Sequence, residues 1–493
     1  MLTSAAGLPA RWIGPLLVLA GLFAGFLAAS VNPLLLFALA VGIPLGVWLI
    51  GSVERALFAL ILIIGLLPRF ALPVRFGFTP TFLDLAMIGL VVAWARHQLS
   101  QSPDMPLRRA PVNGPLGALM TTAVLTFIVG LPNGVLTPLV MRRFAELLFS
   151  LAMIAIIVAI TFNPTIRGRA VRWMILIGAA SAAVGIALHA MPDDLAIRLL
   201  SALRPFGYPS GPDVLRFIRD DPALMQRATG LWIDPNAYGG YLLVVGLLGL
   251  PQLFAPRPVM ARGLVLLSLG LILIALVLTV SRAAMLGFAI GALLVGLLRY
   301  RRMLILLGAI AVALLVLPPS QALVQHFVEG FQGRDLATQM RFGEYRDALR
   351  LIERYPLLGV GFVGTPDVDL YIGVSSMYLL VAQQMGLVGL VVFIVTIGAV
   401  LLGAARAWPA ISSASLEHFL GTHGALVGVL FSGFFDHYFF NIDFHNSVML
   451  LCLVIGIAVS SQQRDLSYAR KPQRQLPPTL GYNALRGDNY GHT

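Results

Sequence analysis

A chain of 493 residues that is 58% hydrophobic and only 11% charged excludes a water-soluble globular protein, because an ordinary soluble domain carries about 25% charged residues. The net charge of +12 comes almost wholly from arginines scattered through short loops, Lys471 being the one lysine. No basic patch with interleaved aromatics forms, which excludes a nucleic-acid partner, and the single Cys452, inside an apolar run, excludes a disulfide framework or a thiolate metal cluster.

In chain order, apolar runs predict spans near 12–30, 33–50, 55–67, 82–95, 115–131, 143–161 and 170–190, then a loop over 191–235. Further spans follow near 236–254, 263–280, 282–298 and 303–317, a second loop over 318–373, and last spans near 376–404, 416–434 and 445–461. Each approaches the roughly 20 residues a helix needs to cross a bilayer. The expected fold class is an all-α polytopic membrane protein of about 14 transmembrane helices with two long extracytoplasmic loops, the second containing an amphipathic helix. Its parts are an N-terminal bundle (1–190), an outer loop (191–235), helices (236–317), a large outer loop (318–373), C-terminal helices (374–461) and a disordered cytoplasmic tail (462–493). The run 12–30 ends in small residues but is longer than a signal-peptide core, so it reads as a retained first span.

Orientation follows from arginines in short loops. Arg55, then Arg96, Arg108 and Arg109, then Arg167, Arg169 and Arg172, then Arg257 and Arg262, then Arg299, Arg301 and Arg302, then Arg406 fall on alternate connections. This side is the cytoplasmic one, both termini lie there, and both long loops lie outside.

The outer loops carry the chemistry. Gln339 to Tyr355 has helical periodicity, with Tyr345, Leu349 and Ile352 on one side and Arg346, Arg350 and Arg354 four apart. Asp347 and Glu353 neutralise Arg350, whereas Arg341, Arg346 and Arg354 are less obviously paired. The helix is either an interfacial one with solvated charges or a site for an anionic headgroup. "PLLGVGFVG" follows, where Pro356 ends the helix and Gly359, Gly361 and Gly364 permit tight backbone turns near a ligand. Two more stretches enter spans from the same side: "RATGLWIDPNAYGGYLL" at Arg227–Leu243 and "TVSRAAMLG" at Thr279–Gly287. Arg282, in so short a turn between apolar helices, costs several kcal/mol if unpaired and unsolvated, so it snorkels to the interface or meets an anion.

The order "RATGLWIDPNAYG", "LTVSRAAMLG", "RFGEYRDALRLIERYPLLGVGF" and "MYLLVAQQMGLVGL" resembles the O-antigen ligase and polysaccharide polymerase family of membrane glycosyltransferases, over about the last three fifths of the chain. The resemblance implies transfer of a glycan from an undecaprenyl-pyrophosphate donor to an acceptor hydroxyl at the outer face of the cytoplasmic membrane, with no cofactor, metal or nucleotide. Its partners are that donor, a glycan or lipid-linked acceptor, membrane lipids and other polysaccharide-assembly proteins. Arg341, four residues before the aromatic Tyr345, and Arg282 in the serine-arginine turn are assigned to the pyrophosphate, where charge develops as the leaving group departs. Arg227, Asp234, Asn236, Arg346, Arg354, Gly359, Gly361 and Ser376 are the substrate-binding candidates.

The chain departs from its relatives where many carry a His-Asn pair: Ser375 and Ser376 stand there, and Gln384 stands for a glutamate further in. Serine takes no proton near neutral pH, so the base comes from elsewhere or activation rests on positioning. Asp367 and Asp369 form an Asp-X-Asp pair. That pair holds metal on sugar nucleotides in cytosolic enzymes, but sugar nucleotides are absent outside, which leaves Asp369 as a candidate base. His437 and His445, with Asp436 and Asp443 near in sequence, are the other candidates, His437 against a structural role at a helix end. His326 reads as a solvated loop histidine, His189 as a satisfied one, Glu146 as a partner of Arg142 and Arg143, and Asp234 and Asn236 as a cap of the eighth helix or as acceptor-sugar ligands. The missing histidine favours a divergent polymerase over a ligase. The competing class, a transporter or flippase of lipid-linked saccharide, implies repeat-related halves with mid-membrane breaks; here the polar groups gather at one face.

Overall fold

The computed structural model describes residues 33–72, 78–100, 107, 110–316, 321–333, 336–367, 373–413 and 415–462. The expected first span, Arg108, Arg109, Asp369, the side chain of His326 and the tail from 463 lie outside the described residues. Sixteen α-helices are described. They are α1 Pro33–Ile50, α2 Val53–Leu66, α3 Phe82–Ser100, α4 Asn113–Val129, α5 Pro138–Thr161, α6 Pro164–Ala190, α7 Asp193–Ser201 and α8 Pro235–Gly249. Then come α9 Arg262–Leu278, α10 Arg282–Leu298, α11 Arg301–Val316, α12 Gln321–Phe331, α13 Leu336–Arg354, α14 Met377–Ala407, α15 Leu416–Ser432 and α16 His445–Ser461. Each expected span from residue 33 onward coincides with a helix. Four segments (α3, α5, α6, and α14 with its extension to Ala410) are long and apolar enough to cross a membrane, and α4, α9, α10 and α16 are shorter apolar helices. Among the described residues the fold is all-α apart from a hairpin in the first long loop, β1 Arg216–Phe217 paired antiparallel with β2 Gln226–Arg227, and an isolated antiparallel bridge between Ala71 and Thr81.

Helices α8 and α16 form the centre, with almost every side chain buried. A helix apolar on all sides is stable only when protein or lipid surrounds it. Both are sheathed: α8 by α6, α9, α10 and α15, and α16 by α5 and α15. The outer helices invert the usual pattern, presenting large apolar side chains outward, such as Leu266 and Leu267 on α9 and Val391, Ile394 and Val395 on α14. That is the surface a bilayer requires.

In lipid, apolar burial gives helices little reason to associate, so close backbone approach and dispersion hold them together. Helix α10 carries Gly287 and Gly291, and α15 carries Gly424 and Gly428, each pair four apart. A methyl group added at Gly287 or Gly291 would lie 2.5 Å from the carbonyl oxygen of Gly428 or Gly424. At the opposite end from the long loops, Arg167 is buried rather than a free loop charge. It donates to the carbonyl of Ser460 at 3.2 Å and to Ser415 Oγ at 3.1 Å, joining α6, α16 and the entry of α15.

Helix α14 is interrupted at Gly386 (φ 67°), and the break is closed by the loop that follows α13. Val360 and Gly361 donate their N–H groups to the carbonyls of Gln383 and Gln384, each at 2.9 Å, and Leu387 N donates to Pro356 O at 2.7 Å. A kinked helix in a membrane needs such substitutes for its lost hydrogen bonds.

Replacing Gly291 by Leu is expected to destabilise the protein by about 1–3 kcal/mol through overpacking against α15. The reading is a lower unfolding midpoint in detergent. Gly270→Leu on α9, where a side chain meets nothing within 4 Å, is the matched control and leaves the midpoint unchanged.

Candidate active site

Three chain segments converge where α8, α10 and α14 begin. The stretch ending in β2 docks on the exit of α9: Ala228 N donates to Leu278 O at 2.8 Å, and Arg227 Nε donates to Thr279 O at 2.9 Å. The other arm of Arg227 donates to Asn236 Oδ1 at 2.6 Å. Asp234 caps α8, its Oδ1 accepting from the N–H groups of Asn236 and Ala237, both at 2.8 Å. The chain enters α8 and α10 through two left-handed β-branched residues, Ile233 (φ 67°) and Val280 (φ 53°). Each costs about 1–3 kcal/mol, a strain that persists only where the surroundings enforce it and that clusters at functional sites.

Arg282, the first residue of α10, reaches across to α13, where its Nη2 donates to Thr338 Oγ1 at 3.3 Å. Its guanidinium occupies the space a side chain at Gly330 would need. Arg341, one turn along α13, faces the same space. The two arginines line a cavity of about 240 Å³ whose other walls are largely apolar: Leu286, Phe342, Tyr345 and Phe435.

Asp436 is the hub beside this cavity. Its side chain is 5% exposed. Oδ2 lies 3.9 Å from Arg341 Nη2, and Oδ1 is 3.2 Å from His437 Nδ1 and accepts the His437 backbone N–H at 3.0 Å. Oδ2 has no hydrogen-bond partner among the described residues. The hub is tied to α14, because Met377 N donates to the carbonyls of Gly433 and Asp436 at 2.8 and 2.9 Å. It is tied to α13 by Tyr345, whose hydroxyl donates to Ser375 O at 3.0 Å.

The charges shift one another. Burial drives the Arg227 guanidinium down to about 10, with Arg341 and Arg282 adding to the effect and Asp234 and Asp436 opposing it; it stays charged at neutral pH. Burial disfavours the charged His437 imidazole, but the hydrogen bond and charge of Asp436, with Asp234 and Glu344 beyond, outweigh it and hold the ring above its ordinary value. Burial raises the Tyr345 phenol, which therefore stays protonated.

The structure thus brings together Arg227, Arg282, Arg341, Asp234, Asn236 and His437. Ser376 sits at the edge as the N-cap of α14, accepting from Leu379 N. Other candidates lie apart. Arg346 is exposed on α13, and Arg354 pairs with Asp367 at 2.9 Å. Gly359 and Gly361 (φ 66° and 79°) press against the backbone of α14 at its break and of α4 at Gly130, so their close approach is to protein. Arg350 pairs with Asp347 at 3.5 Å, and Glu146 with Arg142 at 3.2 Å, both as expected. Arg341 and Arg354, expected to be less clearly paired, do have partners. On α13 Leu349 lies exposed, and Ala348 and Leu351 are buried.

Sequence reasoning noted Asp436 without giving it a role, and missed Glu344. Glu344 Oε2 accepts both the Ser375 hydroxyl (2.7 Å) and its N–H (2.9 Å). The position that lacks a histidine therefore has a carboxylate against it. The available signal was helical spacing, since Glu344 stands three residues after Arg341 and shares its face.

Residues 266–394 match the family model described as O-antigen ligase, a stretch from within α9 to the middle of α14 that contains both cavity arginines. Over these residues the chain is similar to the O-antigen ligase family, and the matched stretch is about a quarter of the 493 residues. No curated protein matches the chain.

Replacing Asp436 by Asn removes the main charge that holds His437 up. The pH at which His437 becomes reactive toward diethyl pyrocarbonate, held above the ordinary imidazole range in the parent protein by Asp436, is expected to fall in the variant. Mass-spectrometric mapping of the modified residue across pH checks this.

Proposed function

We propose that the protein transfers or polymerises a glycan from an undecaprenyl-pyrophosphate-linked donor onto an acceptor sugar hydroxyl at the outer face of the cytoplasmic membrane. The observation that carries this reading is the pairing of Arg282 and Arg341 in one largely apolar cavity, next to the buried Asp436 and its partly exposed partner His437. Two fixed guanidinium groups suit a pyrophosphate, which accepts paired charge-assisted hydrogen bonds. Apolar walls and the exposed Met340, Phe342, Phe434 and Phe435 suit a polyprenyl chain arriving from the bilayer.

In this reading the acceptor oxygen attacks the anomeric carbon and the bond from that carbon to the pyrophosphate oxygen breaks. The electron pair of that bond passes to the leaving oxygen, whose charge Arg282 and Arg341 stabilise in a partly dry site. The acceptor proton passes to His437 Nε2. With Nδ1 turned toward Asp436, the ring presents Nε2 as its free base nitrogen, and Asp436 stabilises the imidazolium that forms. Arg227 contributes positive potential while holding the entries of α8 and α10. His437 here takes the role that Ser375 and Ser376 lack the chemistry for, with no metal in the transfer step. Ligase and polymerase differ in the acceptor alone. The outward placement of this end of the bundle rests on the arginine-rich connections at the other end.

The test is purified protein in proteoliposomes with a lipid-pyrophosphate-linked oligosaccharide and an acceptor glycan. Product is expected from the parent protein, and Arg341→Ala or Arg282→Ala is expected to lower the rate by about 10²–10³-fold, the usual cost of one charge-stabilising donor, with membrane insertion intact. Because the neutral ring is the base and is held above its ordinary value, the rate should climb with pH through a midpoint above 6.5. An Arg341→Ala variant of full activity, or donor that crosses vesicles unchanged, would sink the proposal.

A further inference from the structure

The end of the bundle that holds the arginine cavity has a second cavity, polar and about 310 Å³, lined by Thr81 just before α3, by Arg142, Arg143 and Glu146 of α5 and by His445 and Asn446 of α16. Three side chains from these three helices converge: Asp84, Glu146 and His445 each offer one ligating atom within 4.8 Å of the others. His445 Nδ1 lies 3.4 Å from Glu146 Oε2 and 3.9 Å from Asp84 Oδ1. The remaining oxygen of each carboxylate is held from behind. Asp84 Oδ2 accepts the backbone N–H and the hydroxyl of Thr81, both at 2.8 Å. Glu146 Oε1 faces Arg142 Nε at 3.2 Å, and Arg142 is itself anchored by donating to the carbonyl of Thr79. Asp84 thus gives one oxygen to outer hydrogen bonds and Glu146 gives one to an ion pair, leaving the other oxygen of each toward the imidazole, and outer hydrogen bonds of the Asp84 kind orient the ligands of a metal ion.

Burial sharpens the requirement. The side chains of Glu146 and Asp84 are only 6% and 16% exposed, and a positive charge between two carboxylates so placed stabilises both as anions. Arg142 offsets one of them. The other arginines of the cavity are engaged, Arg143 with Asp443 and Arg69 over the ring of Phe444 at 5.7 Å. Independently of the convergence, His445 Nε2 and Asn446 Oδ1 are buried with no hydrogen-bond partner among the described residues, and both residues line the cavity. The Asn446 amide nitrogen donates to Pro68 O.

We propose that Asp84, Glu146 and His445 bind a divalent transition-metal cation, with water from the cavity completing its shell. Carboxylate oxygens suit Mn²⁺ and an imidazole suits Zn²⁺ and other transition metals, so the mixed set selects this class over Mg²⁺ or Ca²⁺. The cation staples the entries of α3, α5 and α16. Helix α16 follows directly on the segment that bears Asp436 and His437, and Phe444, one residue before His445, packs on His437 with ring centroids 5.5 Å apart. The cation therefore steadies the base without entering the transfer step, and the site stands whether or not glycosyl transfer is the activity.

Full-length protein in detergent, stripped with chelator, should bind one Mn²⁺ per chain by electron paramagnetic resonance and calorimetry, with Zn²⁺ competing and Mg²⁺ not. Glu146→Gln should weaken binding at least tenfold and His445→Ala should do the same. Thr81→Ala, which leaves all three ligands in place, should weaken it about tenfold. Arg282→Ala, outside this cluster, should bind Mn²⁺ like the parent protein even where transfer is lost, which separates failure here from failure of the proposed activity. Less than one equivalent in the parent protein, or equal binding by parent and Thr81→Ala, overturns the site. If Glu146→Gln does not fold, the parent titration and Thr81→Ala decide.

Discussion

A carboxylate whose side chain is 5% exposed is expensive to hold as an anion unless cations and donors surround it. Asp436 is in that position, and its demand organises one end of the bundle. Its Oδ1 takes the ring of the adjacent His437 and its Oδ2 faces Arg341. The backbone carbonyl of the same residue fixes the first N–H of α14. Amphipathic α13, the entry of α14 and the connection into α16 are therefore held through a single residue. Removing the charge frees Arg341 and lowers His437 together, which makes the cavity and the base one unit.

The bundle below supplies the rigidity this unit needs. Glycine pairs on α10 and α15 let two backbones touch, which fixes where α10 begins and so where Arg282 stands. The strained turn at Val280 is enforced from both sides, by Arg227 on the carbonyl of Thr279 and by the backbone bond from Ala228 to Leu278. The loop that closes the break in α14 does the same for α13. Asp234, Asn236 and Arg282 thus stand at helix entries pinned by packing in the apolar interior.

Much of this was legible in the sequence, for a physical reason: a bilayer allows only helices of limited length, so hydropathy alone marks where spans begin and end. The arginines were legible too, since a charge at the mouth of an apolar helix asks for an anion. Pairing across the chain was not. Nothing local to Arg354 announces Asp367, and nothing local to Ser375 announces Glu344, because both partners come from the far side of a loop. Gly359 and Gly361 show why a glycine is an ambiguous signal: it marks a close approach without saying whether a ligand or a backbone approaches, and here the backbones of α14 and of the end of α4 do. Period put Tyr345, Leu349 and Ile352 on one side of α13, as the continuous helix has them, but a helix at a membrane surface has two apolar environments, protein and lipid, and period alone does not say that Leu349 is exposed. His445 and its two carboxylates sit on three separate helices, so no spacing rule connects them.

The most direct measurement is an electron cryomicroscopy map of the protein with a lipid-pyrophosphate-linked saccharide bound. The account predicts both phosphates within hydrogen-bonding distance of Arg282 and Arg341, the polyprenyl chain along Phe342 and Phe435, and the first sugar on the side of His437. Phosphates bound elsewhere, with the cavity between α10 and α13 filled by ordinary lipid, would contradict it.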